Sequence, residues 1–347
     1  MKTRAIVFEG PDQISLKTFD LAPCGDEDVI CEAIYSFVSP GTEMRVLKGV
    51  DEWAKYPFIP GYAWVGRVVE IGAKVKGWEK GQLVAGRNGL AIDGCGSVWG
   101  GHVQHHRCPV SWNIALKLPE GADPWNYVTT EVAAISWRGV SAAFPAKGET
   151  AVVIGQGLIG AFAAKWFLQL GARVIVTDIV PSRLERARKW GAAAALDGRN
   201  PNIREMVMEL TNGGADIVYE ASSSKPGVML ASSILRQPAP RCGHGTNYPM
   251  GGMQNSHHFW PRLVYQAGYL FKVEITPGEL TGGEGAIVLK PSDRTLGDRL
   301  QVIEQIRLGN LPVEDFVDKP TPVEGAPQAY LTLRDHPETV SAIAFKW

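Results

Sequence analysis

One stretch constrains this chain more than any other. Val152-Val153-Ile154 leads into Gly155-Gln156-Gly157-Leu158-Ile159-Gly160, and an apolar run then continues to Leu170 and closes at Gly171. β-Branched residues ahead of the glycines predict a buried strand, and the run behind them predicts a helix. In such a turn Gly155 permits the tight reversal, Gly157 lets the backbone approach a pyrophosphate, and Gly160 allows the helix to pack closely on the strand. Leu158 and Ile159 open the helix, whose N-terminal N–H groups and partial positive charge favour an anion. A second predicted strand, Val174–Thr177, ends at Asp178, 23 residues after Gly155. A carboxylate there can accept hydrogen bonds from an adenosine ribose and repels a 2′-phosphate, so the pattern predicts NAD rather than NADP. Arg183, close behind, tempers that preference because a guanidinium can hold a phosphate.

The rest of the chain is read around this unit. Strands and helices alternate from Ala151 to Leu235: helix Ile159–Leu170, strand Arg173–Thr177, helix Arg183–Trp190, strand Ala193–Leu196, helix Ile203–Leu210, strand Asp216–Glu220 and helix Val228–Leu235. This is the signature of βαβ units and a doubly wound parallel sheet, an α/β fold. The first third differs. Short runs such as Ala5–Phe8, Val29–Ala33, Val65–Ile71 and Leu83–Ala85 are separated by Gly, Pro and Asp, which predicts a small β-barrel. A helix is expected over Pro124–Ala143, another near Leu300–Leu308, and a last strand at Val340–Phe345. The expected division is 1–121, completed by 288–347, and 122–287.

With 347 residues the chain suits two domains. Its 35 basic and 36 acidic residues leave a net charge of −1, which gives no field for nucleic acid or an anionic membrane. The N-terminal Met1–Gly10 reads as a strand rather than a signal peptide, and no apolar run of about 18 residues predicts a membrane span. Five cysteines without C-x-x-C spacing disfavour a disulfide framework or structural zinc, so a reducing cytoplasm is expected.

Over nearly its whole length the chain resembles the medium-chain dehydrogenase/reductase superfamily. The resemblance rests on Pro60-Gly61-Tyr62-Ala63-Trp64-Val65-Gly66, Gly81-Gln82-Leu83-Val84, the glycine turn, and Arg183-Leu184-Glu185-Arg186-Ala187. It implies a GroES-like N-terminal barrel completed by the C-terminal tail, a Rossmann domain, nicotinamide in the cleft between them, and a homodimer or homotetramer acting on a small molecule. Zinc-dependent members carry Gly-His-Glu where this chain has Gly61-Tyr62-Ala63, and a ligand cysteine where Ser39-Pro40 precedes Gly41-Thr42-Glu43. Too few N, S or O ligands remain for a catalytic zinc, so no metal is expected. The chain is in this respect similar to the zinc-lacking branch that includes bacteriochlorophyllide a dehydrogenase, and also to polyol dehydrogenase-like members.

Without a Lewis acid, oxidation of an alcohol needs a side chain to take the hydroxyl proton. Tyr62 stands at the former zinc-histidine position by resemblance, either as acid/base or as a filler of the vacated space. A phenol, with an ordinary pKa of about 10, would need a cationic neighbour to act as base. His102, in Gly101-His102-Val103-Gln104-His105-His106, is the second candidate, and on a period of two it shares a face with His106. Glu131 matches a carboxylate that polyol-type members place beside zinc. It would orient a substrate hydroxyl or a histidine, although Glu43 could be that carboxylate instead. His257, after the nucleotide domain's fifth strand, could reach the substrate. Among eleven tryptophans, Trp53, Trp64, Trp99, Trp137 and Trp260 fall in segments expected to border the cleft. Aromatic faces with polar neighbours suit a sugar, glycoside or cyclitol, though a flat aromatic would stack equally well. The expected reaction is NAD-dependent, metal-independent oxidation of a secondary hydroxyl, or its reverse. The competing readings are a reductase of conjugated double bonds that uses NADPH, and a nucleotide-sensing homologue without catalysis.

Overall fold

The computed structural model describes residues 1–90, 92–236, 260–269, 271–272, 286–291, 293–340 and 342–347. They form two compact units, residues 1–134 with 296–347, and residues 135–295. The breaks therefore fall later than the expected 121/122 and 287/288. The first lies inside the helix Thr130–Ala142, where residues 130–138 hold no Gly or Pro.

In the first unit, β1 (Lys2–Gly10) and β2 (Gln13–Asp20) form an antiparallel hairpin, and β3 (Asp28–Phe37) runs into the short helix α1 (Pro40–Leu47). Then follow β4 (Phe58–Ile59), β5 (Ala63–Ile71), β6 (Leu83–Arg87), β7 (Ser97–Val98), β8 (His105–Pro109) and β9 (Ala115–Lys117). The expected helix over Pro124–Ala143 is broken. Pro124–Tyr127 is a 3₁₀ turn capped by the Asp123 carboxylate, and helix α2 begins only at Thr130 and runs to Ala142. A side chain that caps the Trp125 N–H so early stops one turn and delays the next.

In the second unit, β10 (Thr150–Ile154), α3 (Leu158–Gln169), β11 (Arg173–Asp178), α4 (Pro181–Lys189), β12 (Ala194–Asp197), α5 (Ile203–Leu210), β13 (Ile217–Glu220), α6 (Lys225–Ser233), β14 (Arg262–Tyr265) and β15 (Ile287–Leu289) succeed one another. Among the described residues their six strands form one parallel sheet in the order β12-β11-β10-β13-β14-β15. Every residue of β10 is buried, as a central strand covered on both faces requires. α3 buries most of its circumference, from Leu158 to Phe167, and ends where Gly171 takes a φ of +78°.

The chain then returns to the first unit through α7 (Leu296–Arg307), β16 (Thr321–Pro322), α8 (Ala326–Asp335) and β17 (Ala344–Lys346). The last strand is shorter and later than Val340–Phe345, because residues 337–339 form a turn. β17 pairs antiparallel with β3, Phe37 opposite Ala344. The two sheets of this unit are β2-β1-β4-β7 and β16-β17-β3-β5-β6-β9, with β8 on the other side of β3. Phe8, Val46, Phe58, Tyr330 and Phe345 meet in one core cluster, while Cys31, Trp64, Val68 and Cys108 meet in another. No helix among the described residues is long and apolar enough to cross a membrane.

Candidate functional site

The glycine turn of the second unit has the shape its sequence requires. Gly155 has a φ of +86°, and a Cβ there would stand 2.8 Å from the Ser222 backbone. A Cβ on Gly160 would fall 1.8 Å from the Gly155 carbonyl oxygen, so α3 approaches β10 closely only with glycine. Gly157 is the N-cap of α3 and offers no side chain to cap it, and a Cβ there would meet nothing within 4 Å. The first turn of the helix, Leu158 and Ile159, is thus left to an anion. These residues fit a dinucleotide.

Asp178 stands at the end of β11, largely buried. Its Oδ2 accepts the Gln156 N–H at 2.5 Å and its Oδ1 accepts the Val180 N–H at 2.8 Å. The carboxylate therefore ties the glycine turn to the start of the following helix, with further lone pairs left for a ribose. Arg183 Nη1 lies 3.9 Å from Asp178 Oδ2, and Arg186 donates to the Gln156 carbonyl at 2.9 Å. Trp260, 37 % exposed, belongs to this unit as well, and its carbonyl accepts from Arg262 Nη1 at 3.1 Å. His257 lies outside the described residues.

A second polar centre is buried in the first unit, where β3, α1, β5, α8 and β17 converge. Tyr62 donates its hydroxyl to Ser39 Oγ at 2.6 Å, and Ser39 Oγ lies 3.5 Å from Thr42 Oγ1. Ser39 is the N-cap of α1, and its own N–H is accepted by Glu43 Oε1 at 2.7 Å. Glu43 Oε2 faces His102 Nε2 at 3.0 Å and also accepts the Tyr330 hydroxyl. On the other side of the imidazole, Nδ1 lies 2.7 Å from Ser36 Oγ, which in turn accepts Trp347 Nε1–H at 2.9 Å. Burial, with Glu43 beside it, pushes the Tyr330 hydroxyl well above the ordinary phenol range, so it stays a donor.

This geometry corrects several expectations. His102 is 0 % exposed with both ring nitrogens engaged, so it does not present a free base to a substrate. Nor does it share its surroundings with His106. That ring stacks on Trp64 at 3.9 Å and 4° in the other core cluster, and burial pushes it down to about 3. Trp64 consequently fills the barrel interior, its Nε1 donating to the Asn88 carbonyl at 2.8 Å, and does not border a substrate. Glu131 is 1 % exposed and its Oε1 accepts Arg299 Nε at 2.6 Å, which leaves it orienting a guanidinium rather than a substrate or histidine. Glu43, the alternative carboxylate, is the one that meets His102, and at 0 % exposure it does not touch a substrate. Trp99 does lie beside Tyr62, edge-on at 6.1 Å, and packs against Trp53, itself 52 % exposed, at 5.2 Å.

Ser39 and Tyr62, which stand where the resemblance puts two zinc ligands, bond to one another, and the neighbouring His102 and Glu43 bond to each other. Among the described residues no cluster of three or more His, Cys, Asp or Glu side chains could hold a metal ion. Ser36, Tyr330, Trp347 and Arg299 were not foreseen. Of these only Arg299, a cation at helical spacing from the apolar Val302, Ile303 and Ile306 of its helix, offered a signal.

Two family models match separate parts of the chain. Residues 26–120 match the family model of the alcohol dehydrogenase GroES-like domain, and residues 158–240 match that of the zinc-binding dehydrogenases. L-threonine 3-dehydrogenase of Alteromonas mediterranea is 28 % identical over 251 residues, 65 % of this chain and 71 % of that protein. The fold is shared with a Sinorhizobium meliloti chain described as a zinc-binding dehydrogenase, bound to NADP (TM-score 0.80, 19 % identity, all of both chains). It is shared also with an Escherichia coli alcohol dehydrogenase complexed with NADH (TM-score 0.80, 18 % identity, 100 % of this chain and 99 % of that one). The family models and the relatives' names support a nucleotide-binding oxidoreductase acting on CH–OH groups.

Proposed function

We propose that this chain, a member of the medium-chain dehydrogenase/reductase superfamily, is an NAD(H)-dependent dehydrogenase that interconverts a secondary hydroxyl and a ketone without a metal. The observation that carries the reading is the Tyr62–Ser39 hydroxyl pair at 2.6 Å, standing where zinc ligands would be. The glycine turn and Asp178 would hold the dinucleotide, and the carboxylate favours NAD. Bound nicotinamide supplies the carbon that exchanges a hydride with the substrate.

The chain's own part is the proton. In ketone reduction Tyr62 gives its hydroxyl proton to the oxygen that becomes the alcohol, Ser39 replaces that proton along the 2.6 Å contact, and Ser39 is resupplied from water through Thr42 Oγ1 at 3.5 Å. In alcohol oxidation each hydroxyl accepts one proton and releases its own, so the proton passes from substrate through Tyr62, Ser39 and Thr42 to water. The exposed face of Trp53, backed by Trp99 next to Tyr62, supports a cyclic polyhydroxy substrate, a sugar, glycoside or cyclitol. Arg183, near Asp178, favours some tolerance of NADP as the second reading. The homodimer or tetramer implied by the resemblance draws support from the edge strand β15, whose Ile287 and Val288 are exposed. Light scattering tests that assembly.

The decisive experiment measures turnover of a sugar and cyclitol panel with NADH or NAD, before and after exhaustive chelation, alongside metal analysis. Undiminished turnover in metal-free protein is expected. Loss of turnover restored only by zinc would overturn the metal-free reading, and strong preference for NADPH would overturn the cofactor choice.

A further inference from the structure

The cluster behind Tyr62 and Ser39 contains more hydrogen bonding than the proton path requires, and its protons can be assigned. Glu43, as a carboxylate, only accepts. Its Oε1 takes the Ser39 N–H, and its Oε2 takes the Tyr330 O–H, so the contact with His102 at 3.0 Å requires the hydrogen to sit on Nε2. In a neutral ring Nδ1 is then the acceptor, and the Ser36 hydroxyl at 2.7 Å donates to it. Ser36 Oγ accepts in turn from the Trp347 indole at 2.9 Å, a group that can only donate. The protons all point one way, from Trp347 to Ser36 to His102 to Glu43.

Ser36, His102 and Glu43 are each 0 % exposed, so water cannot replace a lost partner. The same imidazole also touches the backbone that carries Tyr62. Gly61 has a φ of +79°, and a Cβ there would lie 2.4 Å from His102 Cδ2. Phe345 stands edge-on to the ring at 5.5 Å and holds it from the side of β17. One imidazole therefore meets both hydroxyls of the pair, Tyr62 through its backbone and Ser39 through Glu43.

We propose that Trp347, Ser36, His102 and Tyr330 form a hydrogen-bond network that converges on Glu43 and positions the Tyr62–Ser39 pair, with His102 as the neutral Nε2–H tautomer. They are positioning residues, and only Tyr62 and Ser39 exchange protons with the substrate. This rests on the proton role given to Tyr62 above. Its physical ground is that a proton donor must be held within a fraction of an ångström of its productive position, so that small displacements are costly to catalysis.

The test uses the full-length chain with Trp347→Phe, which keeps an aromatic ring against the core cluster and drops the donor, and Tyr330→Phe, which drops one donor to Glu43. Long-range proton–nitrogen spectra of ¹⁵N-histidine protein, with the His102 signal assigned by its loss in His102→Gln, report the tautomer directly. The wild type is expected to show the Nε2–H form. Each variant should shift the His102 signals and lower kcat by about tenfold or more, while substrate KM and NADH affinity stay within about twofold. An Nδ1–H tautomer in the wild type would overturn the proposal, as would two folded variants with unchanged His102 signals and unchanged kcat. Should the wild type turn over no alcohol or ketone, the function assigned to the pair fails, but the nitrogen spectra still decide whether the network exists.

Discussion

Glu131 separates a structural carboxylate from a catalytic one by measurement. Its partner Arg299 is 1 % exposed, and that guanidinium donates to Glu131 Oε1 at 2.6 Å, to the Ile114 carbonyl at 2.9 Å and to the Asn113 carbonyl. The carbonyls carry only partial charge, whereas Glu131 sets a full negative charge against a cation placed almost entirely out of water. Glu131→Gln keeps the volume and one acceptor but removes that charge. Breaking a buried pair in this way costs about 3–5 kcal/mol. Replacing both partners, as in Glu131→Gln with Arg299→Met, removes both charges and should recover more than half of that loss. Urea unfolding followed by tryptophan fluorescence reads the cost as a lower midpoint at unchanged slope. Turnover of the folded Glu131→Gln protein should remain within about threefold of wild type. A stability loss below about 1 kcal/mol combined with a hundredfold fall in kcat would refute the reasoning and return Glu131 to the substrate.

Three further outcomes are expected. Tyr62→Phe should lower kcat by about 10²–10⁴-fold with NADH affinity unchanged, measured by stopped-flow turnover and fluorescence titration. Asp178→Ser removes the charge that repels a 2′-phosphate and releases Arg183, so the NADPH-to-NADH ratio of kcat/KM should rise at least about tenfold. It should also loosen the glycine turn, because Gln156 loses its acceptor. His106 is held neutral in the fold by burial, its pKa pushed down to about 3, whereas unfolded it titrates near its ordinary value of about 6.5. The unfolded chain alone gains a proton below that value. This group's contribution is therefore intact above pH 6.5 or so, and is lost at up to about 1.4 kcal/mol per pH unit as pH falls toward 3. His106→Phe should flatten that part of the stability profile measured by urea titration.

What could be read in the sequence was what depends on neighbours along it. The glycine turn is local: three glycines, a β-branched strand and an apolar helix lie within some twenty consecutive residues, and the strand order follows from βαβ repetition. β4 and β7, two residues each, carry no periodicity to detect. The Tyr62 position was legible by resemblance, but its surroundings were not. Ser36, Ser39, Glu43, His102, Tyr330 and Trp347 come from five separate segments, and Tyr330 reaches Glu43 across 287 positions. Glu131 was misread for the same reason, since the Arg299 that claims it lies 168 positions away. Trp64 was misread on a different ground. On a barrel strand the inward and outward faces alternate, and residue type alone does not say which face an aromatic takes.

The pairing of β17 with β3 fixes an order of events during synthesis. The first unit is interrupted: its central strand β3 is made early, while the strand that completes its edge, with Trp347 beside it, emerges only after the whole second unit. The second unit, contiguous in sequence, can form its parallel sheet as soon as it has left the ribosome. Residues 1–134 must wait with the edge of β3 open and with Ser36 and Glu43 short of their partners. The entropic cost of closing so long a loop grows only logarithmically with its length, so the burden is one of time rather than of final stability. During that interval the half-built barrel exposes both an unpaired strand edge and an unsatisfied polar cluster, which is the period when this chain is most open to aggregation or to assistance from a chaperone.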